Sequence, residues 1–204
     1  MLIGLLGFQG AIEEHELILS SLGADSIRVK KASELIALDG LIFPGGESTT
    51  MLKMLEFSNL LNPLQSVLSQ GLPVMATCAG LILLAKKTTS PVQKSLGQLD
   101  ITVKRNGYGP QYFSFCEEVS IESFEKTFRA VFIRAPIILS TGPSVHVMAR
   151  DHHGHPVFVR SGRQFGMTFH PELTQDDRIH RLFLNQIKKN SRRKLCQDIQ
   201  NGIT

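Results

Sequence analysis

The 204-residue chain has no tryptophan, only two tyrosines and only three cysteines. Cys78, Cys116 and Cys196 are too few and too scattered for a disulfide framework, and no Cys-x-x-Cys pair offers a zinc site. This usage fits a reducing compartment, so a cytoplasmic location is expected. Long apolar runs are missing too: none reaches the ~18 residues that a membrane span requires. The opening Met1-Leu2-Ile3-Gly4-Leu5-Leu6 lacks the basic flank of a signal peptide. Internal repeats, low-complexity segments and inter-domain linkers are also absent. A single domain over residues 1–190 is therefore expected, followed by a basic C-terminal tail over 191–204.

The composition, 42% hydrophobic and 20% charged, is that of a globular protein. A chain of this size buries about 70% of its unfolded surface, enough to hold a core without staples. The net charge of +4 and pI near 9.1 raise nucleic acid and anionic membranes as partners. The distribution of charge argues against both. From Arg178 onward Arg178, Arg181, Lys188, Lys189, Arg192, Arg193 and Lys194 face one acid, Asp198, so the basicity belongs to the C-terminal end and the body is nearly neutral. No aromatic interleaving accompanies those cations, and neither nucleic acid nor membrane is expected as a partner.

The first half alternates short apolar runs with helical patterns, the signature of a parallel sheet covered by helices. Strands are expected at Leu2–Leu6, Ser26–Val29, Gly40–Phe43 and Pro73–Ala76. A helix is expected over Ala11–Leu22, with Ile12, His15, Leu19 and Leu22 on one face and Gly23 ending it. Another should follow the Gly-Gly loop, capped by its hydroxyl run, and close near Gln70-Gly71. A buried helix should start at Leu81–Ala85. Later strand-like segments, at Leu99–Val103, Ala130–Ile133, Val145–Met148, Pro156–Val159 and Gln164–Thr168, are separated by turns and read as antiparallel additions. A last helix is expected over about Asp176–Lys189, with a loose tail beyond Asn190. The fold class is an α/β three-layer sandwich with a mostly parallel, flavodoxin-like central sheet.

Three segments carry chemistry. Ala76-Thr77-Cys78-Ala79-Gly80 lies between a strand and a helix with small residues two positions either side of the cysteine, the pattern of a nucleophile elbow. A sulfur there faces a helix N-terminus, which favours the nucleophilic thiolate. The plain alternative is a buried core cysteine. His170-Pro171-Glu172 offers a base and a carboxylate to orient it, since i, i+2 residues share a face on extended backbone; a surface histidine beside an acid is the alternative. Pro44-Gly45-Gly46-Glu47-Ser48 can present backbone amides to an oxyanion or a carboxylate, or be a flexible turn. It is not a phosphate loop, because no Gly-Lys-Ser/Thr follows.

Pro44-Gly45-Gly46-Glu47-Ser48-Thr49-Thr50, the run Thr77 to Ala85, and Phe169-His170-Pro171-Glu172-Leu173-Thr174 together resemble the glutaminase subunits of pyridoxal 5′-phosphate synthase, a family of class I, triad-type glutamine amidotransferases. Gly7-Phe8-Gln9-Gly10, Lys104-Arg105-Asn106 and Val131-Phe132-Ile133-Arg134-Ala135-Pro136 extend the resemblance to about residue 187. It implies Cys78 as nucleophile, His170 as general base and acid, and Glu172 as its orienting partner. It further implies that Gly46, Glu47, Ser48, Arg105, Ile133 and Arg134 hold L-glutamine, and that backbone amides of Gly46 and Ala79 form the oxyanion hole. No metal and no cofactor is implied. The expected partner is the barrel-shaped synthase subunit, which takes the ammonia. Two other readings stay open: a triad glutaminase serving another synthase, such as that of histidine biosynthesis, and an inactive scaffold subunit.

The chain departs from the family's pattern in two places. Ala76 stands where glycine is usual, a small change. Pro110, Phe113 and Cys116 replace one basic and two acidic positions between Gly107 and Cys116, so a local ion-pair set is lost without touching the triad. Asp151-His152-His153-Gly154-His155 reads as an exposed turn rather than a metal site, because three imidazoles within one turn rarely converge on one tetrahedral ion.

Overall fold

The computed structural model describes residues 1–108 and 114–200, with the side chains of 190–200 left aside. The amino-terminal half runs β1 (Leu2–Leu6), α1 (Ile12–Ser21), β2 (Asp25–Val29), β3 (Gly40–Phe43), α2 (Ser48–Phe57), α3 (Leu61–Ser69), β4 (Val74–Thr77) and α4 (Ala79–Leu84). There follow β5 (Ala85–Thr89), β6 (Leu99–Lys104), β7 (Ser114–Val119), β8 (Phe128–Ile133), β9 (Ile137–Thr141), β10 (His146–Arg150), β11 (Pro156–Ser161), β12 (Gln164–Met167) and α5 (Arg178–Gln200).

The main sheet has the order β10-β11-β12-β4-β3-β1-β2. Strands from β12 to β2 are parallel, and β10 and β11 add antiparallel to that edge. A small β5-β6-β9 sheet and a β7-β8 pair stand apart from it. The central strands are almost continuously apolar because both faces are covered. Alternation divides them: Leu41, Phe43, Val74 and Ala76 join one core with Met51, Leu64 and Leu83. Ile3, Leu5, Ile42 and Met75 join the other with Phe128, Phe132, Phe165 and Phe183. These two cores, one on each face, are what make the architecture three-layered.

Parallel pairing brings the functional segments together. In register Met75 pairs with Phe165 and Thr77 with Met167, so Cys78 and the Thr168–His170 segment leave neighbouring strands at the same carboxyl edge. The Gly-Gly loop follows β3, and the Gly7–Gly10 loop follows β1, at that edge as well. Ligands of open parallel sheets bind in the crevice outside the strands' carboxyl ends.

Several expectations change. The single helix closing near Gly71 is two, α2 and α3, interrupted at Asn59, whose φ of 55° is incompatible with helix continuation. The cap of α2 is Glu47 rather than a hydroxyl, its carboxylate accepting from the Thr49 amide at 3.3 Å. Strands β5, β7 and β9 lie outside the expected strands: β5 and β9 mix two buried residues with polar ones without alternating, and β7 alternates in exposure but carries Cys116, Glu117 and Glu118 in a polar run. The last helix does not stop near Lys189 but continues to Gln200; neither glycine nor proline occurs between Asn190 and Gln200 to end it. Of the departures from the family's pattern, Pro110 and Phe113 lie outside the described residues. Cys116 sits exposed in β7 with Arg129 Nη2 3.8 Å from its sulfur.

Candidate active site

Cys78 occupies the turn between β4 and α4 with φ 46° and ψ −103°, a conformation L-residues rarely adopt. Its amide donates to the Met167 carbonyl at 2.9 Å, which ties the turn to β12. The tightness of the turn is visible at Gly80, where an added Cβ would stand 2.1 Å from the Phe43 carbonyl oxygen. The Cys78 side chain is only slightly exposed, and its sulfur lies 3.8 Å from the Ile133 carbonyl oxygen. Ala79 opens α4, where a backbone N–H has no intrahelical partner and is available to an anion.

His170 faces Cys78 on one side and, through Nδ1, is hydrogen-bonded to Glu172 Oε1 at 2.7 Å on the other. Glu172 reaches it differently from the expectation: Pro171–Leu173 forms a 3₁₀ turn, not extended backbone. The tight turn folds the carboxylate back under the imidazole and buries it. Burial alone would push His170 down, but the nearby Cys78 sulfur and the hydrogen-bonded Glu172 carboxylate outweigh it, lifting the imidazole to about 10. Burial likewise pushes Glu172 up, yet the His15 and His170 imidazoles facing it hold the carboxyl below its ordinary value. The pair is thus poised as imidazolium and carboxylate at neutral pH.

The Gly-Gly loop packs directly on the imidazole: a Cβ at Gly45 would come within 2.2 Å of His170 Cε1. Beyond it, Glu47 accepts from Thr49 Oγ1 at 2.9 Å and from Arg105 Nη2 at 3.1 Å. Partial burial pushes the Glu47 carboxyl up, but the Thr49 hydrogen bonds and the nearby Arg105 and Arg134 cations hold it below its ordinary value. These groups surround a cavity of about 680 Å³ lined by Cys78, His170, Gly46, Glu47, Ser48, Arg105, Ile133 and Arg134. Such a volume suits a small organic ligand. The Ser48 hydroxyl donates to Gln93 Oε1 at 3.0 Å.

Residues 5–189 match the SNO glutamine amidotransferase family. The chain belongs to that family. Two similar curated proteins are named pyridoxal 5′-phosphate synthase subunit PdxT: one from Thermosipho africanus, 47% identical over 93% of this chain and 100% of its own length, and one from Thermotoga neapolitana, 50% identical over 92% and 100%. A crystal structure described as a glutamine amidotransferase superposes with a TM-score of 0.86 at 40% identity, covering 91% of this chain and 98% of that one. The structure of PurLQS from Thermotoga maritima, at 17% identity and TM-score 0.65 over 93% of this chain and 97% of its own, shares the fold.

In this amidotransferase every site residue expected from the sequence lines one cavity, except Glu172, which lies behind His170. Some contributors were missed. Gln9 donates from Nε2 to the Glu47 carbonyl at 2.7 Å and pins the Gly-Gly loop from the β1 side. Asn106 and Tyr108 line the wall, and the Tyr108 hydroxyl donates to Asp151 Oδ2 at 2.7 Å. His15 and His180 lie behind Glu172, and the one available signal was a histidine on an otherwise apolar helix face. The His-rich segment is the exposed β10–β11 turn. Asp151 organises it by accepting from the amides of His153 at 3.0 Å and His155 at 2.7 Å. Among the described residues no group of His, Cys, Asp and Glu is placed to hold a metal, and no helix is long and apolar enough to cross a membrane.

Proposed function

We propose that the chain hydrolyses L-glutamine to L-glutamate and ammonia as the glutaminase subunit of a pyridoxal 5′-phosphate synthase, with Cys78, His170 and Glu172 as its triad. The observation that carries this is the cysteine at a strained elbow beside an imidazole whose far nitrogen is held by a buried carboxylate, on a chain nearly half identical to proteins of that name over their full length. The Cys78 sulfur, with the His170 imidazolium as charge partner, attacks the side-chain amide carbon of glutamine. The resulting oxyanion is met by the amides of Ala79 and Gly46. His170 then protonates the departing nitrogen, the C–N bond breaks, and ammonia leaves a thioester on Cys78. Water attacks the thioester carbon as His170 accepts its proton, and collapse of the second oxyanion releases glutamate and restores the thiolate.

Glu47, Arg105 and Arg134, with backbone from Gly46, Ser48 and Ile133, hold the glutamine's amino and carboxylate ends. A carboxylate beside two guanidinium groups provides both signs of charge for a zwitterion. The partner is the synthase subunit, which takes up the ammonia. Residues 1–190 form the amidotransferase domain, and the basic segment 191–204 lies outside the chemistry. The test is glutamate release from glutamine by the purified chain, alone and with a pyridoxal phosphate synthase subunit. Stimulation by that subunit is expected; hydrolysis indifferent to it would remove the assignment to this synthase.

A further inference from the structure

Behind Glu172, away from the cavity, two imidazoles are sealed in the core. His15 on α1 and His180 on α5 are both fully buried. His15 Nδ1 lies 2.9 Å from His180 Nε2, and His15 Nε2 lies 3.6 Å from Glu172 Oε2. The other Glu172 oxygen, Oε1, faces His170 Nδ1 at 2.7 Å and the Thr77 hydroxyl at 3.5 Å, so Oε2 is left to the histidine pair. The 3.6 Å separation is slightly beyond a hydrogen bond, but in a dry interior the direction of an N–H dipole against an anion still weighs heavily.

The chemistry of the pair selects one arrangement of protons. A hydrogen bond between two neutral rings requires one to donate and one to accept. If His15 donated from Nδ1, its Nε2 lone pair would point at the carboxylate. His180 would then carry its proton on Nδ1, which has no hydrogen-bond partner among the described residues. A lone pair against an anion and a bare buried donor are both costly. In the reverse arrangement His180 donates from Nε2, His15 accepts at Nδ1, and His15 presents Nε2–H to Glu172 Oε2. The His15 N–H then has the Glu172 carboxylate in front of it at 3.6 Å, and what is left without a hydrogen bond or ion-pair contact among the described residues is an acceptor, His180 Nδ1.

We infer that His180 and His15 form a neutral, one-way chain of N–H groups that fixes the Glu172 carboxylate against His170, making His15 a positioning residue for glutamine hydrolysis. The role rests on the triad proposed above. Burial, partly opposed by Glu172 and Glu14 and reinforced by His170, pushes His15 below its ordinary value. Burial and the facing His15, against Glu172 and Asp177, push His180 down to about 3. Both rings are therefore uncharged around neutrality. Had His15 been a cation, it would compete with His170 for the carboxylate; as a neutral donor it orients Glu172 and leaves the negative charge for the imidazolium.

Two measurements on the full chain test this. In ¹⁵N spectra of histidine-labelled protein, His15 is expected to show a protonated Nε2 and an unprotonated Nδ1, unchanged from pH 8 down through its ordinary titration range near 6.5. A cationic His15, or a proton on Nδ1, would overturn the inference without reference to activity. In the synthase-stimulated glutaminase assay, His15→Leu is expected to lower kcat about tenfold while KM for glutamine stays within about twofold. Its acidic limb should move up by about one pH unit, because Glu172 without the N–H takes its proton more readily. His15→Gln, whose terminal amide restores a donor near the Nε2 position, should recover most of both effects. Wild-type behaviour in His15→Leu would overturn the inference, as would a His15→Gln variant that melts normally yet is as impaired as His15→Leu. Hydrolysis that survives Cys78→Ala would instead overturn the triad, leaving the tautomer to be read independently.

Discussion

The two sides of the cavity are built on opposite principles. On the His170 side, Glu172, His15 and His180 are withdrawn from water and joined end to end by short contacts. On the Glu47 side, the carboxylate is about half exposed, with side-chain exposures of 48% for Glu47 and 12% for Arg105, and it is held by a loop rather than by the core. Buried polar chains are rigid but intolerant of loss, since each member left without its partner keeps its desolvation cost. A partly exposed ion pair can re-solvate when broken and contributes only about 0–1 kcal/mol to stability. In the proposed function the chemistry therefore sits on the fixed side, and recognition of the substrate's charged ends on the adjustable one.

The largest effect expected is at the nucleophile: Cys78→Ala should reduce glutamate release by at least about a thousandfold, with binding of glutamine by calorimetry retained. Glu172→Gln attacks the buried side next, with an expected loss of about a hundredfold in kcat. The sign of its pH effect follows from the cause. The carboxylate helps hold the proton on His170, which titrates near 10, so the neutral amide should move the alkaline limb of the profile down towards the ordinary imidazole range. Arg105→Ala probes the adjustable side and should raise KM by about tenfold with kcat nearly unchanged, the mark of lost uniform binding. Its melting temperature should barely move.

The smallest effect separates the histidines by stability. His15 and His180 are held below their ordinary value, so the unfolded chain takes up protons that the folded chain refuses, and the stability they contribute above about 6.5 is lost as pH falls. His170 works in the other direction: raised to about 10, it stabilises below its unfolded value, and that contribution is lost as pH rises through its folded one. Melting temperatures should thus fall by a few degrees on acidification from pH 7 to 5, and His180→Leu should flatten that acidic slope while leaving the alkaline one.

Much of the fold was legible in the sequence because buried parallel strands are short apolar runs ending in glycine-rich turns, as at Leu2–Leu6, Gly40–Phe43 and Val74–Thr77. The small sheets were not: β5 reads Ala-Lys-Lys-Thr-Thr with Ala85 and Thr88 alone buried, a polar run without strand-like alternation. The extent of α5 was missed because the apolar spacing of Ile179, Leu182, Phe183 and Ile187 gives out before Lys189, while a stretch without glycine or proline lets the helix run on to Gln200. At the site, residues that touch the cavity came in motifs with recognisable spacing. Gln9 lines the cavity from the β1 loop and bonds the Glu47 backbone, while His15 and His180 reach the site only through Glu172 from α1 and α5, and no local spacing encodes a contact between residues 15, 172 and 180. His15 left a trace as a lone imidazole on an apolar face, whereas His180 left none.

The central claim, a Cys78 nucleophile already assembled with His170 and Glu172, is tested most directly by covalent trapping. The full chain is treated with a glutamine-shaped diazomethyl ketone, and the adduct is mapped by mass spectrometry. One adduct per chain on Cys78, formed more slowly in Glu172→Gln and suppressed by excess glutamine, is the expected result. Labelling confined to Cys116 or Cys196, or labelling of Cys78 that proceeds as fast without the Glu172 carboxylate, would contradict it.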